Sequence, residues 1–339
     1  MKLIIPMAGR GTRLRPHTHT IQKPLLPVAG TSVVERIINT FHRTLDRTID
    51  EIVFVLGEFD DELQEQLNEL CSRHEAKSTF RKQDQALGTA HAVYSASDDL
   101  EGEVIIVFAD TIFDTQGTVS VEDADSVIWL KKVDDPTRFG VAIHEGDTIT
   151  DFVEKPEEPV SDLAIIGVYY FKEGAELRKQ LKYLIDNDIR GKDGEYQLTD
   201  ALDRCLKEGK LFKTATVDEW LDAGTLQAWL DTTAIILDKE NDSNQVDPQA
   251  FPTSRIIPPV HIEDGVEIEG SVIGPYTSLA AGTKVTDSVI KESIVLKNSE
   301  ITNSTLHRAT VGNHAYLDEC KGSVHLGDHS VVKPVSNKT

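Results

Sequence analysis

The first apolar run of the chain is followed by "AGRGTRLRP", which gathers Gly9, Gly11, Arg13 and Arg15, and Lys23 then opens "KPLLPVAG". Glycines let a backbone approach a ligand closely, and clustered cations answer several negative charges at once, so the segment is read as a phosphate cradle. Spacing narrows which cradle it is. A P-loop needs GxxxxGK followed by Ser or Thr, and that string does not occur. A dinucleotide fingerprint needs GxGxxG, but Gly9-Arg10-Gly11-Thr12-Arg13-Leu14 puts Leu14 where the third glycine would let helix and strand pack. What remains is a loop whose Arg13, Arg15 and Lys23 suit a triphosphate. Further on, the apolar run "VIIVFAD" closes with Asp110. A carboxylate at the carboxyl edge of a buried strand, where open α/β sheets place ligands, suits Mg²⁺.

Taken in order, these and later motifs resemble the sugar-nucleotide pyrophosphorylases, or sugar-1-phosphate nucleotidylyltransferases. These enzymes join a nucleoside triphosphate to a sugar 1-phosphate and release pyrophosphate. The family loop usually reads A-G-G-x-G-T-R-L, one residue longer than the stretch from Ala8 to Leu14. "QDQALGTAHAV" resembles the base-recognition segment of members that use UTP or dTTP, and "EWLDAGT" their second metal-ligand motif. "RFGVA", "VEKP" and "IIGVYYF" resemble the sugar-pocket motifs, and "GEYQLTDAL" a segment that opens a helix near the sugar. The resemblance implies nucleotide contacts from Ala8, Gly9, Gly11, Thr12, Gln83, Gly88 and Thr89. It implies catalytic cations at Arg13, on the leaving pyrophosphate, and Lys23, on the α-phosphate. It further implies Mg²⁺ on Asp110 and Asp222, and a sugar phosphate held by Gly140, Glu154, Lys155 and Gly167.

A side-chain amide at Gln83 offers the donor and acceptor that a uracil or thymine edge requires, whereas guanine would favour an acidic residue. Plainer readings stand beside these. Gln83 could be a solvated loop residue, Asp110 and Asp222 helix caps, and Glu154-Lys155 a surface ion pair. His17 and His19 are read as loop residues. UTP against dTTP stays open, as does the sugar, with glucose 1-phosphate the first choice.

The elements that must position these residues alternate between short apolar runs and helical patterns: "KLIIPM", helix "SVVERIINTFHRTL", "EIVFVLG", helix "DDELQEQLNEL", "GTAHAVYSAS" and "EVIIVFAD". That alternation predicts a parallel sheet covered by helices. "GVAIHEGDTITDFVEKP" alternates about Gly146-Asp147 as a hairpin would, and "DLAIIGVYYF" reads as another buried strand. The expected fold is α/β: a Rossmann-like, mixed-sheet nucleotidyltransferase domain over 1–240, a Pro- and Asp-bearing linker over 241–255, and a short left-handed parallel β-helix over 256–335. A parallel β-helix follows from aliphatics at six-residue steps, Val260, Val266 and Val272, then Ile273, Leu279 and Val285, later Val295, Ile301, Val311 and Leu317, with an irregular β-sandwich as the alternative. About four coils at ~18 residues each are expected from such hexads.

Charge sets further bounds. With 35 basic against 57 acidic residues and a net charge of −22, the chain is unsuited to nonspecific binding of nucleic acid or anionic membrane, so any phosphate site is a local positive island. The start lacks the pattern of a signal peptide and no apolar run is long enough to span a bilayer, so a cytoplasmic location is expected. Cys71, Cys205 and Cys320 are too scattered for a disulfide framework or zinc cluster and are read as buried or idle. Short solenoids leave end coils to be covered, so a homo-oligomer is expected. Two alternatives stay open: a noncatalytic subunit that only binds sugar nucleotide, and a bifunctional uridylyltransferase/acetyltransferase whose coil histidines His307, His314, His325 and His329 serve acyl transfer.

Overall fold

The computed structural model describes residues 1–58, 61–241 and 246–334, apart from the side chains of Lys192 and Pro248. Residues 242–245 of the expected linker and residue 335 of the expected β-helix lie outside the described residues. The chain divides into two compact units. One comprises Met1–Gly9 with Val34–Leu221, the other Arg10–Val33 with Asp222–Thr339. The arginine-bearing loop thus groups with the C-terminal part of the chain and not with the strand it follows.

In the first unit, strand β1 (Lys2–Pro6) is followed, after the short pair β2 (Pro27–Val28) and β3 (Thr31–Ser32) of the other unit, by α1 (Val33–Thr44), β4 (Glu51–Leu56), α2 (Asp61–Arg73), β5 (Lys77–Lys82), α3 (Thr89–Tyr94) and β6 (Val104–Val107). Then come β7 (Thr111–Asp114), β8 (Ser126–Lys132), β9 (Gly140–Glu145), β10 (Thr148–Glu154), β11 (Leu163–Phe171), α4 (Gly174–Asp186), α5 (Leu198–Lys207), β12 (Phe212–Thr216) and β13 (Glu219–Asp222). Nine strands form one sheet in the order β5-β4-β1-β6-β11-β8-β12-β10-β9. β5, β4, β1 and β6 are mutually parallel, β11 is antiparallel to both its neighbours, and β9–β10 is the expected hairpin at the edge.

The local sequence explains these elements. Ile52, Val53, Phe54, Val55 and Leu56 of β4 are all buried, as a strand covered on both faces requires. Val33, Val34, Ile37, Ile38 and Phe41 recur at helical spacing on α1 and are all buried. Each such side chain contributes roughly 1.5–3 kcal/mol of burial. The three cysteines are free and buried, and burial pushes the Cys71 and Cys205 thiols up to about 12, so they are inert at neutral pH.

The second unit holds the loop, the β2–β3 pair joined by a two-residue turn at Ala29 and Gly30, helix α6 (Leu226–Lys239), and the coil region. From Arg255 to Val332 the strands form three parallel five-stranded sheets, consistent with the expected left-handed β-helix. Two expectations are corrected. Each sheet has five rungs, not four, because a coil takes 17 residues, later 16, and not 18, as the steps from Ser271 to Ser288 and from Ser288 to Ser304 show. For the same reason the first hexad register does not hold: Ile268 and Ile273 fill the column, and Val272 is only half-buried. Corners that turn through one left-handed residue, such as Asp287, Glu292, Asn298 and Asn303, shorten some sides to five residues.

A second ladder fixes the coils. Ser254 Oγ accepts from the N–H of Ser271, Ser271 Oγ from Ser288, Ser288 Oγ from Ser304, and Ser304 Oγ from Cys320, at 3.0–3.1 Å. The inside of a tight corner admits only a small side chain, and a hydroxyl there satisfies a backbone N–H that would otherwise be buried without a partner.

Candidate functional site

In the second unit, Thr12–Leu14 forms a single helical turn pinned by Leu14, which is fully buried, while Thr12 and Arg13 are exposed. Gly11 is close-packed: a Cβ there would lie 3.0 Å from the Thr18 methyl and 3.1 Å from Lys23 Cβ, and Thr18 Oγ1 donates to Gly11 O at 2.8 Å. Lys23 begins another short turn, continued by Pro24. At the other end of this unit's sequence, Thr225 caps α6 by accepting from Ala228 N–H, and Thr232 Oγ1 donates to Asp222 O at 2.6 Å.

These segments converge at Gly224. A Cβ on that residue would lie 2.8 Å from Asp222 Oδ1, 3.2 Å from Arg13 Nη2 and 3.4 Å from Lys23 Nζ. Two cations and a carboxylate from positions far apart in sequence therefore meet around one buried glycine, with Asp222 exposed and its Oδ1 accepting from Gly224 N–H. Cations and an oxygen donor so arranged can receive a multiply charged phosphate together with a hard metal ion.

The first unit carries the other predicted residues. Ala8 and Asp110 lie beyond the carboxyl ends of the neighbouring parallel strands β1 and β6, the place where such sheets bind ligands. A Cβ at Gly9 would meet nothing within 4 Å, so the protein's own packing does not demand glycine there. Asp110 is exposed in the turn between β6 and β7. Strand β11 shifts register between Ile165 and Tyr169, a bulge centred on Gly167 with φ +84°, which glycine adopts at no steric cost. The bulge straps the Asp110 turn: Phe108 N–H donates to Gly167 O at 3.0 Å and Thr111 Oγ1 to Ile166 O at 2.8 Å. The helix-cap reading fails for both aspartates, since no helix follows Asp110 and Thr225 caps α6.

Gln83 follows β5, its N–H donating to Leu56 O at 2.7 Å. Its side chain is not simply solvated, because Nε2 lies 3.2 Å from His91 Nδ1. Burial holds His91 below the usual histidine range, so the ring is neutral at pH 7 and Nδ1 accepts from the amide. That leaves Gln83 aligned by a residue the sequence reading did not single out. Gly88 and Thr89 are laced to the "EYQL" segment. Tyr196 N–H donates to Leu87 O, Ala90 N–H to Tyr196 O, and Leu198 N–H to Thr89 Oγ1, each at 2.9 Å. Tyr196 itself is buried with its hydroxyl 2.6 Å from Asp188 Oδ1, a bracing role.

Gly140 and Glu154 face each other across the β9–β10 ladder, and a Cβ on Gly140 would lie 2.9 Å from Glu154 Oε2. That oxygen also accepts from Thr199 Oγ1 at 2.7 Å, another contact not foreseen from sequence. Lys155 leaves β10 in a left-handed conformation, φ +42°, unusual for a non-glycine residue and a mark of a constrained position. Its ammonium is 3.9 Å from both Glu154 Oε1 and Asp193 Oδ2, so the Glu154-Lys155 ion pair is present as a long contact. Burial, then the Glu154 charge, raises the neighbouring Asp200 carboxyl above the usual range.

A cavity of about 290 Å³ lined by residues such as Ser126, Phe171 and Cys205 contains none of the predicted residues. Within the coils, His307 pairs with Glu292 at 3.0 Å, His325 with Thr310 at 2.9 Å, and His314 stacks on His329 at 5.1 Å, so each has a structural partner. Among the described residues no helix is long and apolar enough to cross a membrane.

Comparison with known proteins gives the family. A family model described as "Nucleotidyl transferase" matches residues 2–239. The chain is 29% identical to the "Bifunctional protein GlmU" of Methanococcus aeolicus over 94% of its own length and 78% of that protein's. It is 28% identical to a glucose-1-phosphate thymidylyltransferase of Streptomyces griseus, over 97% and 98% of the two chains. Among solved structures it superposes with a TM-score of 0.54, at 25% identity, on a Bacillus anthracis protein described as a glucose-1-phosphate thymidylyltransferase and crystallised with sucrose. That match covers 69% of this chain and 94% of the other. A UDP-glucose pyrophosphorylase bound to UDP-glucose shares the fold, with a TM-score of 0.57 at 21% identity over 70% and 98% of the chains.

Proposed function

The chain belongs to the nucleotidyl transferase family, and on that premise we propose that it transfers a nucleoside monophosphate from UTP or dTTP to a sugar 1-phosphate. Glucose 1-phosphate is the first acceptor to test. The observation that carries the reading is the meeting of Arg13, Lys23 and Asp222 around Gly224, which gathers charge for a polyphosphate where the signature loop and "DAGT" come together.

The chemistry needs charge control more than proton transfer. A sugar 1-phosphate is already an anion at neutral pH, so its oxygen attacks the α-phosphorus directly. A bond forms from that oxygen to the α-phosphorus, the bond from the α-phosphorus to the bridging oxygen breaks, and pyrophosphate departs with the electron pair. In-line geometry and fixed positive charge lower such a barrier. In this assignment Lys23 steadies the α-phosphate, Arg13 the departing pyrophosphate, and Lys155 the attacking sugar phosphate. Gln83, aligned by His91, reads the pyrimidine, with the backbone of Ala8, Gly9 and Gly11, Thr12, and the Gly88-Thr89 turn around the nucleotide. Gly140, Glu154 and Gly167 bound the sugar, where Glu154 accepts from hydroxyls.

Nucleotidyltransferases of this family generally use a divalent metal, and we assign it to the two aspartates. Asp110 and Asp222 offer exposed carboxylate oxygens of the hard kind Mg²⁺ prefers. Bound there with phosphate oxygens and water, Mg²⁺ would neutralise charge on the phosphates. A homo-oligomer assembled in part through the coils belongs to the same proposal, and a light-scattering mass of one chain would refute it. The experiment for the activity is pyrophosphate release on mixing UTP or dTTP with a panel of sugar 1-phosphates. Release with a pyrimidine nucleotide supports the reading, and binding of sugar nucleotide without release favours the noncatalytic alternative.

A further inference from the structure

The segment 10–33 is held in its unit by polar contacts to the last two coils. His17 is fully buried, and its Nε2 lies 2.8 Å from Thr310 Oγ1. The same hydroxyl is 2.9 Å from His325 Nδ1. Three residues along, Thr20 Oγ1 donates to Asp328 Oδ2 at 2.8 Å, and a Cβ on Gly327 would lie 3.0 Å from Pro16 Cβ. The edge of the His17 ring also meets Trp229, with centroids 5.2 Å apart, and Trp229 Nε1 donates to Pro27 O at 2.7 Å. Thus the loop is seated in part on Thr310, Gly327 and Asp328, which lie beyond the residues that the family model matches.

His17 Nδ1 is buried and has no hydrogen-bond partner. An orphaned buried N–H is rarer than an orphaned acceptor, so the proton of the neutral ring sits on Nε2. Burial pushes His17 down to about 4, which keeps it neutral near pH 7. His17 Nε2–H therefore donates to Thr310 Oγ1, and the Thr310 hydroxyl donates onward to His325 Nδ1. Thr310 is fully buried, and its one hydroxyl serves both bonds. On the loop side, the residue after His17 is Thr18, which binds Gly11 O. Gly11 packs against Lys23 Cβ, and Lys23 Nζ reaches the point at Gly224 shared with Arg13 and Asp222.

We propose that Thr310 and His17 are positioning residues for nucleotidyl transfer, through which the β-helix holds the loop in the shape that aims Arg13 and Lys23 at the triphosphate. This rests on the reading of that loop as the nucleotide grip. It gives the coil region a part in the reaction, although none of its residues needs to touch the substrate.

Thr310→Val keeps the side-chain shape and removes the hydroxyl, and Thr310→Ser restores it. In the full-length protein two quantities are read: KM for each substrate together with kcat, and amide hydrogen exchange across residues 10–33. Thr310→Val should raise the nucleotide KM about tenfold, as a small misplacement of binding groups does, with the sugar phosphate KM unchanged. Exchange at the Leu14, Thr20 and Leu26 amides should quicken about tenfold, while the coil amides of Ala315 and Cys320 keep their protection. Thr310→Ser should recover both. Unchanged exchange in 10–33 overturns the proposal, and so does faster exchange with an unchanged nucleotide KM. Should Thr310→Val fail to fold, His17→Phe, which keeps a ring against Trp229 and loses the bond, is read in the same way. A wild-type protein that turns over no nucleotide overturns the function itself, a result distinguishable from an active wild type with an indifferent variant.

Discussion

In the sheet unit, the residues assigned to the sugar are set by the strands that carry them: Gly140 faces Glu154 across a hairpin, and Gly167 sits in a bulge of β11 that straps the Asp110 turn. In the coil unit, Arg13 and Lys23 flank a stretch whose polar anchors are far along the chain: His17 meets Thr310, 293 positions away, and Thr20 meets Asp328, 308 positions away. The first arrangement is fixed by regular secondary structure, the second by long-range side-chain contacts. Substitutions in the sheet unit should therefore act through the substrate they touch. Those in the coil unit should act through charge and through the integrity of the seat.

The sharpest test of the difference lies in the charges. Lys23→Ala and Asp222→Asn should each lower kcat by about 10²–10³-fold, the scale of losing one preorganised electrostatic group. Melting temperatures should stay within a few degrees of wild type, and near-normal turnover in either folded variant would remove the residue from its role. Next is acid sensitivity. His17 is pushed from 6.5 to about 4, chiefly by burial, with His325 adding and the Asp328 carboxylate opposing. Between those values the unfolded chain takes up a proton that the folded one refuses. Stability should therefore fall as pH drops from about 6.5 to about 4, by roughly 3 kcal/mol from this group. Urea midpoints compared for wild type and His17→Phe should show this part of the slope missing from the variant.

A change in the sheet unit should look different. Glu154→Gln, which keeps size and weakens acceptance from sugar hydroxyls, should raise the sugar phosphate KM by about tenfold and leave the nucleotide KM alone. A rise in both would break the division drawn above. The smallest effect is structural: Ser288→Ala removes one rung of the coil ladder and should cost about 1–2 kcal/mol by urea unfolding, with catalysis unaffected.

How far the sequence could be read follows the same division. The buried strands, the Gly146-Asp147 hairpin and the aliphatic coil column follow from local pattern, because alternation and hexads encode which face is buried. Coil length is not legible from hexads alone, since left-handed corners at residues such as Asp287 and Asn298 allow five-residue sides that a strict hexad count does not contain. The serines at 271, 288 and 304, each two or one residue before an aliphatic, carried the 17- and 16-residue steps all along. Partners of the site residues were less legible. Thr199 on Glu154 and His91 on Gln83 depend on which side chains the fold brings together. His17, read as a loop residue, is buried because its contacts lie in the last coils, and no local pattern reports a partner so distant.

The central claim is that charges meeting at Gly224 serve nucleotidyl transfer, and the most direct measurement is the rate of pyrophosphate release with UTP or dTTP, glucose 1-phosphate and Mg²⁺, for wild type and Lys23→Ala. The account predicts acceptor-dependent release by the wild type, accompanied by an equal amount of nucleotide sugar, and its loss in the folded variant. Acceptor-dependent release that Lys23→Ala retains in full, or no release from any pyrimidine nucleotide and sugar 1-phosphate pair, would contradict it.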